Sequence, residues 1–454
     1  IHYLFGSGEG QPFHQMWREL GAVQSRPMVN HTEYQRITDG EHTLIVYVDP
    51  AELETHLLDL SPGDAAPIRA FCRGVQQFAR FDMSAMYEKP RSMLGLPGWG
   101  ALGLKMLPFL SPTLRWALTP MKAFAARFKN SFLRRAIPQM FSWEEAPAMM
   151  GMALLAYMYN GNAGFPVGGS LEFARAMERR YLELGGGIRY EAQVEKILTE
   201  RGQAVGVRLY NDEIHRADYV ISAADGRSTI FDMLDGHYVN RGIRRMYDGH
   251  LPLHSQVQVS LGVNRDLAAE PHWITYLLKE PVLIIGEERH EVGVKHYCFD
   301  PTLAPAGKSV MEVMIRSNYA YWQHIYGRKL YDSEQQQVSD IVLDLMEQWY
   351  PGIQQDIEFV DEATPLSYER YTGNWMGATS GWLLTRETMP MMIRGVSKTL
   401  PGLKNFYMAG QWVEPGGSVA LAAASGRNAM QLICHQDGKP FRSTTPSAAE
   451  RIQT

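Results

Sequence analysis

The chain has 454 residues, of which 45% are apolar and 20% charged; this ordinary usage excludes a disordered chain, a collagen and a disulfide-rich mini-domain. A net charge of −5 and a pI near 6.3 argue against a general nucleic-acid binder. Three distant cysteines (Cys72, Cys298 and Cys434) give neither a disulfide framework nor a zinc spacing, which fits a reducing, cytoplasmic compartment.

The chain opens Ile1-His2-Tyr3 without Met, basic flank or signal-like core, so an upstream segment is expected to be missing. Ile1–Phe5 reads as a strand. Gly6-Ser7-Gly8-Glu9-Gly10 follows it as a loop, because its third glycine falls one position early for a dinucleotide turn and Glu9 would repel a phosphate. Tyr34–Ile37 and Thr43–Tyr47 flank an Asp39-Gly40 turn and predict a hairpin. Asp49-Pro50 predicts the start of a helix with Leu53, His56, Leu57 and Leu60 on one face. Ser61–Asp64 predicts the start of another, with Ile68, Phe71, Cys72 and Val75 as its apolar face.

Residues 89–143 contain no Asp or Glu but nine Lys or Arg, interleaved with Leu94, Leu96, Trp99, Leu104, Leu107, Leu110, Trp116, Phe124, Phe128 and Phe132. Pro97, Pro108, Pro112 and Pro120 cut this run into short helical pieces. It reads either as a peripheral surface for an anionic bilayer or as a helical subdomain whose apolar faces are core. Gly98, Gly100 and Gly103 match the G-x-G-x-x-G spacing, but they follow Pro97 rather than a strand, and no acid follows to hold a ribose. No stretch of 18 apolar residues exists, so no transmembrane helix is expected.

Gly168-Gly169-Ser170 precedes a helix with Ser170 as the expected N-cap and Phe173, Met177, Tyr181 and Leu184 at helical spacing. Gly185–Gly187 ends it, and strand-like runs follow at Ile188–Tyr190, Val194–Leu198, Val205–Leu209 and Tyr219–Ala224. Residues 250–395 mix strand and helix and are dense in aromatics, which read as core or as the lining of an apolar tunnel. Phe406–Ala409 is a strand-like run that enters Gly410–Ser418 and then a small-residue helix, Val419–Leu432. Gly416 and Gly417 allow close backbone approach, and the helix start offers free N–H groups. The tail from residue 438 is polar and expected to be disordered. The fourteen histidines are scattered, and no metal site is assigned.

Phe406-Tyr-Met-Ala-Gly-Gln-Trp-Val-Glu-Pro-Gly-Gly417, with Ser425-Gly426-Arg427, resembles the flavin-binding C-terminus of phytoene desaturase-like oxidoreductases, a family of carotenoid desaturases, carotenoid isomerases and retinol saturases. Gly164–Leu171 with Gly186–Ile197 is similar to the family's central flavin-domain segment, and Asp218–Asp225 to the strand that closes it. Thr364–Trp375, with Gly377 and Gly381-Trp382, resembles its substrate-domain signature. Such proteins open with a βαβ dinucleotide-binding unit, which is not seen here, so the resemblance implies a copy shortened at its N-terminus.

The resemblance implies an α/β, two-domain flavoprotein. A Rossmann-like FAD domain, incomplete at its N-terminus, would collect residues 1–30, 160–236 and 396–437. A mixed α+β substrate domain would collect residues 31–159 and 237–395. FAD contacts are implied at Val194, Ala224, Asp225, Gly410, Gln411, Gly416, Gly417, Ser418 and Val419; on pattern alone Val194 also reads as a strand core residue and Asp225 as a turn cap. The implied activity is desaturation or saturation of a carotenoid, retinoid or related isoprenoid by hydride transfer to or from FAD. The alternatives are a redox-neutral cis–trans isomerase and a non-catalytic holder of apolar ligands. No catalytic residue is assigned.

Overall fold

A computed structural model of the chain describes residues 3–446, apart from Ser25, Asp82 and residues 141–143. The architecture is mixed α/β, with strands in four sheets. The hairpin forms as its turn residues dictate. Glu33–Thr38 pairs with Thr43–Tyr47, and the Asp39 carboxylate accepts the N–H groups of Glu41 and His42 across the turn. Asp49 caps the helix Pro50–Leu60 by accepting from the N–H of Ala51. Ile68, Phe71, Cys72 and Val75 of the helix Ala65–Phe78 are all fully buried.

That hairpin forms one edge of the largest sheet. Its seven strands run in the order Ile357–Ala363, Ser255–Val263, Ser309–Ser317, Glu287–His296, Trp273–Ile284, Glu33–Thr38, Thr43–Tyr47. All neighbours are antiparallel except Trp273–Ile284 against Glu33–Thr38. Period-two alternation puts Val257, Val259, Leu261, Met311, Val313, Val292 and Val294 on one face, where Val338, Val342, Leu345 and Met346 of the helix Tyr331–Trp349 cover them.

A second, two-stranded sheet pairs Phe406–Met408 in parallel with Val220–Ser222. The long helix Val419–Gln436 follows the first of these strands. Small sheets of Leu4–Phe5, Ala163–Pro166 and Met28–Val29, and of Val194–Glu200, Gln203–Leu209 and Ile214–Arg216, complete the strands.

Several local expectations are corrected. The helix after Gly168 starts at Gly169, not beyond Ser170: Gly168 is the N-cap, in the left-handed region, and its N–H is held by the Asp300 carboxylate at 2.8 Å. Tyr181 and Leu184 of that helix are exposed, and Ala176 and Arg180 are buried with Phe173 instead. Ile188–Tyr190 is not a strand; Arg189 pairs with Glu213, and Ile188 and Tyr190 are exposed. The first strand is only Leu4–Phe5, with Ile1 and His2 outside the described residues. Residues 439–446 have no regular structure, yet Ser443 donates to Glu19 and Phe441 lies under Arg427. Residues 447–454 of the expected tail lie outside the described residues.

The basic segment divides in two. Trp116, Met121, Phe124, Phe128, Phe132 and Leu133 are buried in the main core, where Phe124 stacks on Phe71, so these residues are core and not a surface. The buried Asp64 carboxylate fastens this half by accepting the N–H groups of Lys129 and Asn130. The earlier half, the helices Leu96–Met106 and Leu110–Ala117 with their link, exposes Leu96, Trp99, Leu104, Leu107, Leu110, Leu114 and Leu118. Gly98, Gly100 and Gly103 lie inside the first of these helices, in agreement with the rejection of a dinucleotide turn. No described helix is long and apolar enough to cross a membrane.

Candidate functional site

The parallel strand pair sets the first part of the site. Its two carboxyl ends emerge side by side, with the N–H of Ala409 donating to the Ser222 carbonyl. Ala224 and Asp225 therefore lie next to Gly410 and Gln411, at the edge where ligands gather in open α/β folds. Gly410 has φ +93°, and its N–H donates to the hydroxyl of the buried Ser425, which ties the loop to the C-terminal helix.

Asp225 is buried, and its two oxygens accept from the N–H groups of Ser228 and Trp375. Burial pushes its carboxyl up, against the backbone N–H groups that favour the charge. Of the two expected roles, the turn cap is therefore present in the structure. Asn374 completes the junction by accepting from the Gln411 amide at 3.1 Å and the Trp412 indole at 3.5 Å. Three segments far apart in sequence thus meet at one strand edge. Beneath them, Tyr247, Trp375, Trp382 and Trp412 pack ring on ring, and a Cβ on Gly226 would meet the Tyr247 hydroxyl at 2.2 Å.

The loop that follows turns at Gly416 and Gly417. Gly417 has φ +65°, and a Cβ there would meet that of Ser380 at 2.7 Å, so only glycine fits. Ser418 is the N-cap of Val419–Gln436 and makes no side-chain cap bond. The first N–H groups of this helix therefore have no partner within it, and they carry the positive end of its dipole. Gly417, Ser418 and Val419 are at least partly exposed here. Val194 lies elsewhere, at the first position of a strand in the neighbouring sheet, opposite Leu209.

Reading from sequence missed Lys398. Its ammonium and the Glu414 carboxylate form an ion pair at 2.5 Å with both side chains buried, and the Lys398 carbonyl accepts from the N–H of Met408. This pair anchors the loop between Gly410 and Gly417.

The second part of the site is the other, polar face of the seven-stranded sheet. Cross-strand pairing lines up Ser260, Glu312, Lys295 and Trp273 in one row and Gln258, Met314, Gly293 and Thr275 in the next. Two cavities, of about 110 and about 30 Å³, are both lined by Trp273 and Lys295. Lys295 is buried, and burial pulls its ammonium down to about 8, with the nearby Glu312 opposing. Phe165, from the strand Ala163–Pro166 of the central segment, lines the smaller cavity. Where an apolar tunnel was expected, this face carries charge. The sequence signal was Arg289, Glu291 and Lys295 at period two, a pattern that an exposed strand face shows equally well.

Three histidines in this region are held neutral. His31 and His272 stack with ring centroids 3.7 Å apart. Burial, reinforced by neighbouring histidines, lowers His31 to about 4 and His272 to about 3, and burial with Arg316 lowers His254 to about 4. A histidine whose folded value is depressed binds its proton more readily when unfolded. Its stabilising effect is complete above the ordinary value of 6.5 and is lost as pH falls toward 4. The melting temperature is therefore expected to drop over that window, and less steeply in a His31→Leu/His272→Leu variant. Equal slopes would contradict the assignment.

The sequence profile of the flavin containing amine oxidoreductases matches residues 32–434. The chain belongs to that family. It is 25% identical over 285 residues to the chloroplastic prolycopene isomerase of Daucus carota, covering 62% of this chain and 46% of that one. It is 28% identical over 250 residues to the neurosporene-forming phytoene desaturase of Cereibacter sphaeroides, covering 53% and 46%. It is 25% identical over 301 residues to the 4,4'-diaponeurosporene oxygenase of Staphylococcus haemolyticus, covering 64% and 58%. The chain thus spans about half the length of these curated relatives. The crystal structure of an oxidoreductase from Methanosarcina mazei shares the fold, with a TM-score of 0.55 at 16% identity, over 95% of this chain and 87% of that one.

The residues at the strand edge fit a flavin nucleotide. Gly417 lets the loop pass close to Ser380, and the uncapped, partly exposed helix start beside it suits a diphosphate.

Proposed function

We propose that the chain holds FAD at the ends of Val220–Ser222 and Phe406–Met408, and uses it to oxidise or reduce an allylic position of a carotenoid, retinoid or related isoprenoid. The convergence of Asp225, Asn374-Trp375 and Gly410-Gln411 on one parallel strand edge, in a member of a flavin family, carries this reading. The flavin unit takes residues 1–30, 160–236 and 396–437, and the substrate unit residues 31–159 and 237–395. A bound flavin supplies a hydride acceptor or donor.

The chain's own residues bind and position. The N–H groups at the start of Val419–Gln436 hold the diphosphate, Gly416 and Gly417 let the backbone approach the cofactor, and Ala224 and Gln411 flank it. Val194 lies on the adenine side. The buried aromatic rings below the strand edge exclude water. The exposed leucines of residues 96–118, among Lys105, Arg115 and the other cations of the acid-free segment, dock on an anionic bilayer from which an apolar substrate is drawn.

The prolycopene isomerases among the relatives support a second reading, a redox-neutral cis–trans isomerisation at the same site. Product analysis tests both. The FAD-loaded chain is incubated without oxygen with phytoene and, separately, with prolycopene. Desaturation removes a pair of hydrogens from phytoene, whereas isomerisation leaves the mass of prolycopene unchanged and alters its absorption. A flavin-loaded chain that does neither contradicts the polyene reading.

A further inference from the structure

The inner face of the seven-stranded sheet is polar, although it is buried. The cavity of about 110 Å³ on it is lined by Gln256, Thr275, Arg289, Glu291, Lys295 and Arg316, among others. Three of these are cations and one is a carboxylate. The cavity is far smaller than the few hundred Å³ of a whole drug-sized ligand. It has room for the end of a molecule and not for its chain.

Lys295 meets an aromatic face rather than an acceptor in this cavity. Its ammonium lies 4.0 Å over the Trp273 ring. Among the described residues no carboxylate forms an ion pair with it, and no oxygen accepts a hydrogen bond from it. Glu312 stands opposite on the next strand but is engaged by the Tyr297 hydroxyl at 2.5 Å. Glu287 is taken by Arg289, which also donates to the Arg316 carbonyl. His254 uses Nδ1 on Thr379, and its buried Nε2 has no partner. The Nε of Arg289 is likewise buried without a partner. The buried Arg289 Nε–H left in this state is costly, and an acceptor supplied by a ligand removes the cost. A bare hydrocarbon end would leave it and the Lys295 ammonium without an acceptor.

We propose that this cavity takes the oxygen-bearing end of an otherwise apolar substrate, with the Lys295 ammonium donating to that oxygen. The proposal rests on the polyene reading for the rest of the substrate. The substrate class is then a polyene or isoprenoid ending in a hydroxyl, carbonyl or carboxylate. Arg289 and Arg316 favour the more negative of these ends.

Quenching of tryptophan fluorescence by a bound polyene tests this on the full chain loaded with FAD. The probes are all-trans-retinoic acid, its deoxygenated hydrocarbon analogue, and decanoate as a competitor, all delivered in neutral micelles. Retinoic acid is expected to bind at least about tenfold tighter than the hydrocarbon, the scale of one hydrogen bond to a charged group. That preference is expected to vanish in Lys295→Met and to return in large part in Lys295→Arg. Equal binding of acid and hydrocarbon to the wild-type chain, which needs no variant, would overturn the proposal. So would a preference that survives Lys295→Met. Lys295-dependent calorimetric binding of decanoate, with no binding of either polyene, would uphold the oxygen contact and sink the polyene reading. Binding of no probe would overturn both.

Discussion

Lys398→Met is expected to lower the stability of the chain by about 3–5 kcal/mol, the cost of leaving one member of a buried ion pair without its partner. Lys398 and Glu414 are each less than a tenth exposed, so little water reaches the orphaned carboxylate. Tyr87, itself buried, lies near Glu414 and is not a cation. The loss falls on the loop between Gly410 and Gly417, so flavin affinity is expected to fall with stability. Denaturant unfolding of Lys398→Met, Glu414→Met and the double variant measures both points. The double variant is expected to be more stable than either single one, because two well-packed apolar side chains replace a pair that was costly to bury. Purely additive single losses would show that the pair is not coupled.

Replacing two leucines of the exposed helical pair by acids is expected to abolish membrane binding. Each leucine that enters the acyl boundary contributes about 1.5–3 kcal/mol. Leu107→Glu/Leu114→Glu therefore removes roughly 3–6 kcal/mol, or on the order of a hundredfold or more in partitioning. The new charges also oppose the anionic lipid that Lys105 and Arg115 attract. Sedimentation with vesicles of mixed neutral and anionic phospholipid reads the effect. Leu171→Glu is the control, since Leu171 is as exposed but lies on a different helix. Salt is expected to weaken wild-type binding without removing it. Unchanged binding of the double variant would place the docking surface elsewhere.

Local structure was legible wherever one residue type has one physical use. The Asp39-Gly40 turn, the Asp49-Pro50 cap and the strand at Val205–Leu209 each formed as read, although Ala204 and Gly206 rather than Val205 and Val207 are buried on that strand. Reading failed where a neighbour in space decided the outcome. Ser170 is a good cap by composition, but Asp300 takes the N–H of Gly168 and starts the helix earlier. The aromatic half of the basic segment looks like a membrane surface until the helix Ala65–Phe78 packs on it. Only the leucine half stays uncovered.

The candidate site shows the same division. Glycines, small residues and strand ends marked the loop Gly410–Ser418, because a close approach of backbone to ligand restricts residue type. Nothing local marked Lys398, Asn374 or Lys295. Each acquires its role from a partner more than ten residues away, or from a sheet face that only the strand order buries. Burial of the polar face of Glu287–His296 is a property of the assembled fold.

The measurement that bears most directly on the account is a titration of the purified chain with FAD, followed by flavin fluorescence, in the wild type and in Gly417→Val. The account predicts saturable quenching with one flavin per chain for the wild type, and loss of most of the affinity when a branched side chain at this left-handed position collides with Ser380 and displaces the loop. Binding of FAD by Gly417→Val as tight as by the wild type would contradict a flavin at the start of the C-terminal helix.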